Sequence, residues 1–89
     1  YFELADGFSL VEVEAPPWTA GHALRDLDLR KRFRLNLVAI KRMGSGPDGG
    51  QMVKEFKAVP MADDVIQAND VLALAGSVLD LARFVGEDS

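Results

Sequence analysis

Arg25, Arg30, Lys31, Arg32, Arg34, Lys41 and Arg42 are seven of the chain's ten Lys and Arg residues, all between positions 25 and 42. The 89-residue chain is acidic as a whole, with a formal net charge of −4. The cluster therefore stands out against its background, and its local field attracts anions. Five of the seven are Arg, whose planar fork grips phosphate oxygens in pairs. Asn36 sits beside them, and its amide offers a donor and an acceptor together, as recognition of a base edge requires. Part of the same cluster also reads as a solvated helix face balanced by Asp26 and Asp28.

No other group of residues points to chemistry. His22 and Asp26 are four apart and could share a helix face, but two ligands do not make a metal site. The pairs Asp63/Asp64 and Glu12/Glu14 lack the oxygen-ligand spacing of a calcium loop and read as solvated surface. The glycines of "GSGPDGG" do not link a strand to a helix, so they do not cradle phosphate. Ser9 and Ser77 have no His nearby to activate them. These readings predict a protein that is not an enzyme and holds no metal. The chain has no Cys, which removes disulfides and thiolate ligands. Stacking residues do not interleave with the cluster, which argues against nucleic acid as a partner.

The elements that must position the cluster follow from hydropathy patterning. "FSLVEVEA" alternates Val11 and Val13 with Glu12 and Glu14, the period of a strand with one wet face. Pro16-Pro17 ends it, because Pro donates no ladder hydrogen bond. Thr19 offers an N-cap to a helix beginning "AGHALRDL", and Asp28 offers another to a turn "LRKRF" that drops Phe33 into the core. "LNLVAIKRM" follows as a strand whose Leu35, Leu37, Val38 and Ile40 predict burial on both faces. "GSGPDGG" is a loop, and "MVKEFKAVPM" a third strand closing at Pro60. "ADDVIQAND" is a turn-rich link in which Asn69 tolerates positive φ. "VLALAG" is a short buried strand, and Ser77 with Asp80 forms a capping box opening the helix "VLDLARFV". The fold class expected is α+β, a small β-α-β-β-β-α sandwich of helix on sheet. One domain spans 1–89, read as a piece of a longer protein. So small a domain buries only roughly 60–65% of its unfolded surface, and pairing with a second copy is an ordinary remedy. No apolar run approaches the ~20 residues that cross a bilayer.

The motifs along nearly the whole chain, in order, resemble the RCK C-terminal (TrkA-C) domain of Ktr/Trk-type potassium transport regulatory subunits. "FELADGFSLVEV" is similar to the family's "IELADGFSLVEV". "GHALRDLDLRKRFRLNLVAIKR" resembles its Gly-x-x-Leu-x-x-Leu-x-Leu-Arg-x-x-(Phe/Tyr)-Gly-x-Asn-(hydrophobic)-x-Ala-Ile-x-Arg pattern. "ANDVLALAGS" resembles its Gly-Asp-x-Leu-x-x-x-Gly. Arg34 and Asn69 stand where the family has Gly, and both positions are expected to need positive φ. The "GSGPDGG" loop is an insertion relative to shorter members. Arg25 stands where Ktr-type members often carry an apolar residue.

The resemblance implies a homodimer paired around the second predicted strand. It also implies cyclic di-AMP in the groove between the two copies, where a two-fold symmetric ligand meets the same donors twice. By position, Arg30 is expected to hold phosphate and Asn36 the adenine edge. Leu24, Leu37 and Pro60 are expected to line the groove. The partner implied is a membrane potassium or other cation transporter, which puts the protein in the cytoplasm at the inner face of the membrane. The alternative is a ligand-free dimerisation lobe of a cation channel or antiporter regulator.

Overall fold

The computed structural model describes residues 2–87 and opens on a hairpin, Phe2–Ala5 (β1) turning at Asp6-Gly7 into Phe8–Glu14 (β2). Gly7 takes the left-handed φ of 80° that this turn needs. β1 is a strand more than the sequence predicted, because none of its four residues is buried and only the Asp-Gly turn signals it. Residues 1, 88 and 89 of the predicted 1–89 domain lie outside the described residues.

The predicted helix from Ala20 does not form there. Thr19 closes a 3-10 turn, Pro17–Thr19, and its hydroxyl donates back to the Pro16 carbonyl (2.6 Å) instead of capping onward. Gly21 then takes φ 85°, and the helix shrinks to Leu24–Leu27 (α1). Asp28, in left-handed conformation, turns the chain into Leu29–Phe33 (α2). Its side chain makes no cap bond, so the break comes from the backbone and not from capping. Phe33 is buried as expected.

Asn36–Ser45 (β3) and Gln51–Lys57 (β4) form the second hairpin, with the loop confined to residues 46–50. Val71–Ser77 (β5) enters the centre of an antiparallel sheet ordered β1-β2-β5-β3-β4. Val78–Gly86 (α3) closes the fold. Its first turn is capped by Ser77, whose Oγ accepts from the Asp80 N–H (3.0 Å), as the sequence predicted.

Register explains the core. Val13–Leu72–Ile40 and Val11–Leu74–Leu37 run as rows across β2, β5 and β3. They pack with Leu27, Leu29, Phe33, Leu81 and Phe84 from the helices. Trp18, Phe33 and Phe84 meet edge-to-face or tilted within this core, with ring centroids 5.3–6.0 Å apart. Within one chain the second strand's apolar run is covered on one face only. A bulge between Leu37 and Ala39 makes Val38 the extra residue, and it is 44% exposed. Ile66, in the link expected to be only turns, is fully buried.

Candidate functional site

An open groove of ≈390 Å³ lies where α1 and α2 meet the start of β3. All five residues singled out from the sequence line it: Leu24, Arg30, Asn36, Leu37 and Pro60. They arrive there from four separate stretches of chain. Leu24 belongs to α1 and Arg30 to α2, while Asn36 and Leu37 open β3 and Pro60 follows β4.

One wall is an extension of the core. Leu29 and Leu35 line the groove and are themselves buried, with Leu35 fully so. Leu35 gets this deep because Gly76 faces it from β5, where a Cβ would overlap the Leu35 side chain. Arg34, at φ 57° and ψ 37°, makes the left-handed exit from α2 that precedes it. Its N–H donates to the Arg30 carbonyl (3.1 Å), and the Leu35 N–H donates to that of Leu29 (3.3 Å). The positive φ expected at Arg34 and Asn69 is present at both.

The opposite wall, Pro60 to Ala62, is fixed by backbone bonds to the α1 side. Leu24 N–H donates to Asp64 O (2.9 Å), Arg25 N–H to Ala62 O (3.1 Å), and Ile66 N–H to His22 O (3.0 Å). Gly21 N–H returns a bond to Ile66 O (2.8 Å). Residues 21–25 and 62–66 thus behave as a short irregular ladder.

Two ion-pair groups hold that ladder to the sheet. Arg42 donates from Nε (3.1 Å) and Nη2 (2.9 Å) to the carboxylate of Asp70, and from Nη2 to Val65 O (3.1 Å). Asp70 is 1% exposed and also accepts from the Gln67 N–H (2.9 Å). The Asp70 bond, against a smaller desolvation cost, raises the Arg42 pKa above its ordinary value. Asp64 accepts from the Met61 N–H (2.7 Å) and pairs with Lys57 (3.3 Å). Those contacts, the Met61 bond foremost, lower its pKa. Lys57 is raised in turn, by Glu55 first and Asp64 second. Of Asp63 and Asp64, expected as solvated surface, Asp63 is on the surface, where it pairs with Arg25, whereas Asp64 is half-buried and bonded.

The basic cluster divides into paired and unpaired members. Arg25 pairs with Asp63, Lys41 with Glu12 (2.6 Å), and Arg42 with Asp70 and Glu55. Arg32 lies over the rings of Trp18 and Phe33, at 5.5 and 5.0 Å from their centroids. Neither Asp26 nor Asp28 balances any of them among the described residues. Arg30, Lys31 and Arg34 make no side-chain hydrogen bond or ion pair among the described residues, and of these only Arg30 lines the groove. The Asn36 amide is also without a side-chain partner there. Register sets it opposite Ala75, and it is exposed.

Arg25, Asp28 and Met61 line the groove as well, although the sequence did not single them out for it. The contact that places Arg25 and Met61 is the ladder between residues 21–25 and 62–66. No periodicity announces it. His22 is exposed and outside any helix, so it does not share a face with Asp26. No group of three or more His, Asp or Glu among the described residues could hold a metal ion. No described helix is long and apolar enough to cross a membrane.

The geometry defines a small helix-on-sheet lobe with one cationic, largely apolar groove and no catalytic constellation among the described residues. The TrkA-C domain family profile matches residues 8–86, and the chain belongs to that family. It is 42% identical over 84 residues to Ktr system potassium uptake protein C of Bacillus subtilis (strain 168), covering 94% of this chain and 34% of that protein. It is 28% identical over 87 residues to Ktr system potassium uptake protein A of the same organism, covering 98% and 35%. The chain thus spans about a third of the length of these relatives. Among solved structures it resembles the RCK C domain of the potassium transport protein KtrA in complex with cyclic diadenosine monophosphate. That match has a TM-score of 0.73 and 36% identity, over 92% of this chain and 85% of that one. The GsuK RCK domain shares the fold alone, with a TM-score of 0.59 and 19% identity over 89% of this chain and 16% of that one.

Proposed function

We propose that this chain is the ligand-sensing regulatory lobe of a Ktr-type potassium transport subunit, and that it binds cyclic di-AMP between two copies of itself. In this reading Arg30 takes a phosphate, Asn36 an adenine edge, and Leu24, Leu37 and Pro60 the hydrophobic surface of the base. The observation that carries it is convergence. Five residues chosen from four stretches of sequence share one groove, and its Arg30 and Asn36 have no competing side-chain partners among the described residues. The KtrA domain whose fold it shares was solved with that dinucleotide.

A two-fold ligand with two phosphates needs two such guanidiniums, and each protomer supplies one. Binding then favours whichever arrangement of the two lobes brings the grooves together, and only that preference can be passed on. The transporter partner lies in the membrane, with this lobe at its cytoplasmic face as part of a longer subunit.

The competing reading, a lobe that dimerises without a ligand, draws on exposed Val38, Val59 and Met61 flanking the groove. Calorimetry separates the two. Saturable heat with cyclic di-AMP, lost in Arg30→Ala, supports the sensor. A stable dimer that gives no heat at high protein concentration supports the structural lobe.

A further inference from the structure

The groove holds a second guanidinium that the assignment above leaves unused. Arg25 lines it together with Arg30, and its Nη1 pairs with the carboxylate of Asp63. Arg25 stands on the α1 side, and Asp63 directly follows Ala62 of the facing wall. The ion pair therefore lies at the groove's edge, beside the backbone bond from Arg25 N–H to Ala62 O (3.1 Å). We propose that Arg25 is a second phosphate-binding residue of this site and that Asp63 is its built-in competitor, occupying the guanidinium until a ligand anion replaces it. The inference rests on the groove being the anion site proposed above.

Three features support the exchange. The first is chemical likeness, since a carboxylate and a phosphodiester are both monoanions with two oxygens that accept from a guanidinium fork. Replacing one with the other leaves the charge around Arg25 unchanged. The second is accessibility. The side chains of Arg25 and Asp63 are 57% and 90% exposed, and a pair so hydrated is held weakly. The third is a fixed frame. Arg25 N–H bonds to Ala62 O and Leu24 N–H to Asp64 O, so the residues on both sides of Asp63 are tied to α1. Exchange then needs only rotation of two side chains, with no loop to reorder.

The arrangement makes phosphate a stricter requirement. A neutral nucleoside fills the apolar walls but cannot displace Asp63, whereas a phosphodiester can. With Arg30 also free of side-chain partners among the described residues, each protomer then offers two forks to the ligand's phosphates. The uptake of ligand is thereby graded by an acidic residue that never touches it.

Calorimetric titration with cyclic di-AMP, with adenosine as the uncharged control, tests this on the protein and four variants. Asp63→Asn is expected to bind the dinucleotide about threefold more tightly, the size of an exposed ion pair. Arg25→Ala is expected to bind about tenfold more weakly, as for a lost bond to a charged group. The double variant should match Arg25→Ala alone, because Asp63 acts only through Arg25. Adenosine should show no response to Asp63→Asn. Unchanged affinity in Asp63→Asn, or effects that simply add in the double variant, overturns this inference while loss of binding in Arg30→Ala leaves the groove assignment standing. No binding by the unsubstituted protein overturns both.

Discussion

Arg42→Ala tests what holds the groove's outer wall in place. The Arg42 guanidinium makes two hydrogen bonds to a carboxylate that is 1% exposed, and a third to the Val65 carbonyl. Removing it leaves Asp70 buried, with only the Gln67 N–H as partner. Breaking one side of a buried pair costs roughly 3–5 kcal/mol, and the partial exposure of Arg42 (19%) puts this case near 3. A chain of this length has on the order of 4–13 kcal/mol in total. The loss is therefore a large fraction, equivalent to roughly 12–24 °C in Tm for a domain of this size. Urea denaturation followed by far-ultraviolet circular dichroism measures it. The paired replacement Arg42→Met/Asp70→Leu is the control, because it removes both charges and should recover most of the loss. A cost below about 1 kcal/mol for Arg42→Ala, or a double variant less stable than the single, refutes the idea that this pair fastens the segment.

Arg34→Gly should stabilise the protein by about 0.5–1 kcal/mol. The left-handed residue costs roughly 1–2 kcal/mol in an L-amino acid, of which glycine's unfolded-state entropy returns part; a lower urea midpoint would contradict it. Ser77→Ala removes the cap of α3 and should cost about 1 kcal/mol, read from the same denaturation curves. Asp64 has its pKa lowered in the fold, so its contribution is complete above its ordinary value of 3.8 and is lost as pH falls through the lower folded value. Urea curves taken from pH 6 down to pH 3 should therefore weaken on the acid side, with a shallower decline in Asp64→Asn. An identical decline in the variant would rule out that linkage.

How much of this was legible in the sequence depends on the range of the interaction. Val11 and Val13 alternating with glutamates, Ser77 three residues before Asp80, and Asn69 before Asp70 are local signals, and each reappears in the structure. The helix from Ala20 failed because a non-local competitor won. Gly21 and His22 bond to Ile66, which turns the would-be first helical turn into one side of a ladder. The same contact explains why Ile66 was missed as core and Arg25 and Met61 as groove residues. In the second strand a bulge at Val38 puts apolar neighbours in succession, and within one chain only one side of it is covered. The groove itself became legible through resemblance. Spacing alone could not bring Pro60 to Leu24.

The placement of positive charge around an apolar strand now has a physical explanation, and it separates framework from site. Lys41, Arg42 and Arg32 each have a fixed role: on Glu12, on Asp70, and over the aromatic cluster. They brace the sheet and helices, and their charge is neutralised or spread over rings. Arg30, like Lys31 and Arg34, has no side-chain partner among the described residues, but of the three it alone sits on the groove. Each wall is stiff for its own reason, one through burial of Leu29 and Leu35, the other through the ladder and the Arg42–Asp70 pair. Packed interiors deform little in response to a ligand. In the proposed reading, a dinucleotide held by Arg30 would have little internal strain to work against and little internal motion to drive. In that reading its binding energy would go instead into how two rigid lobes sit against each other.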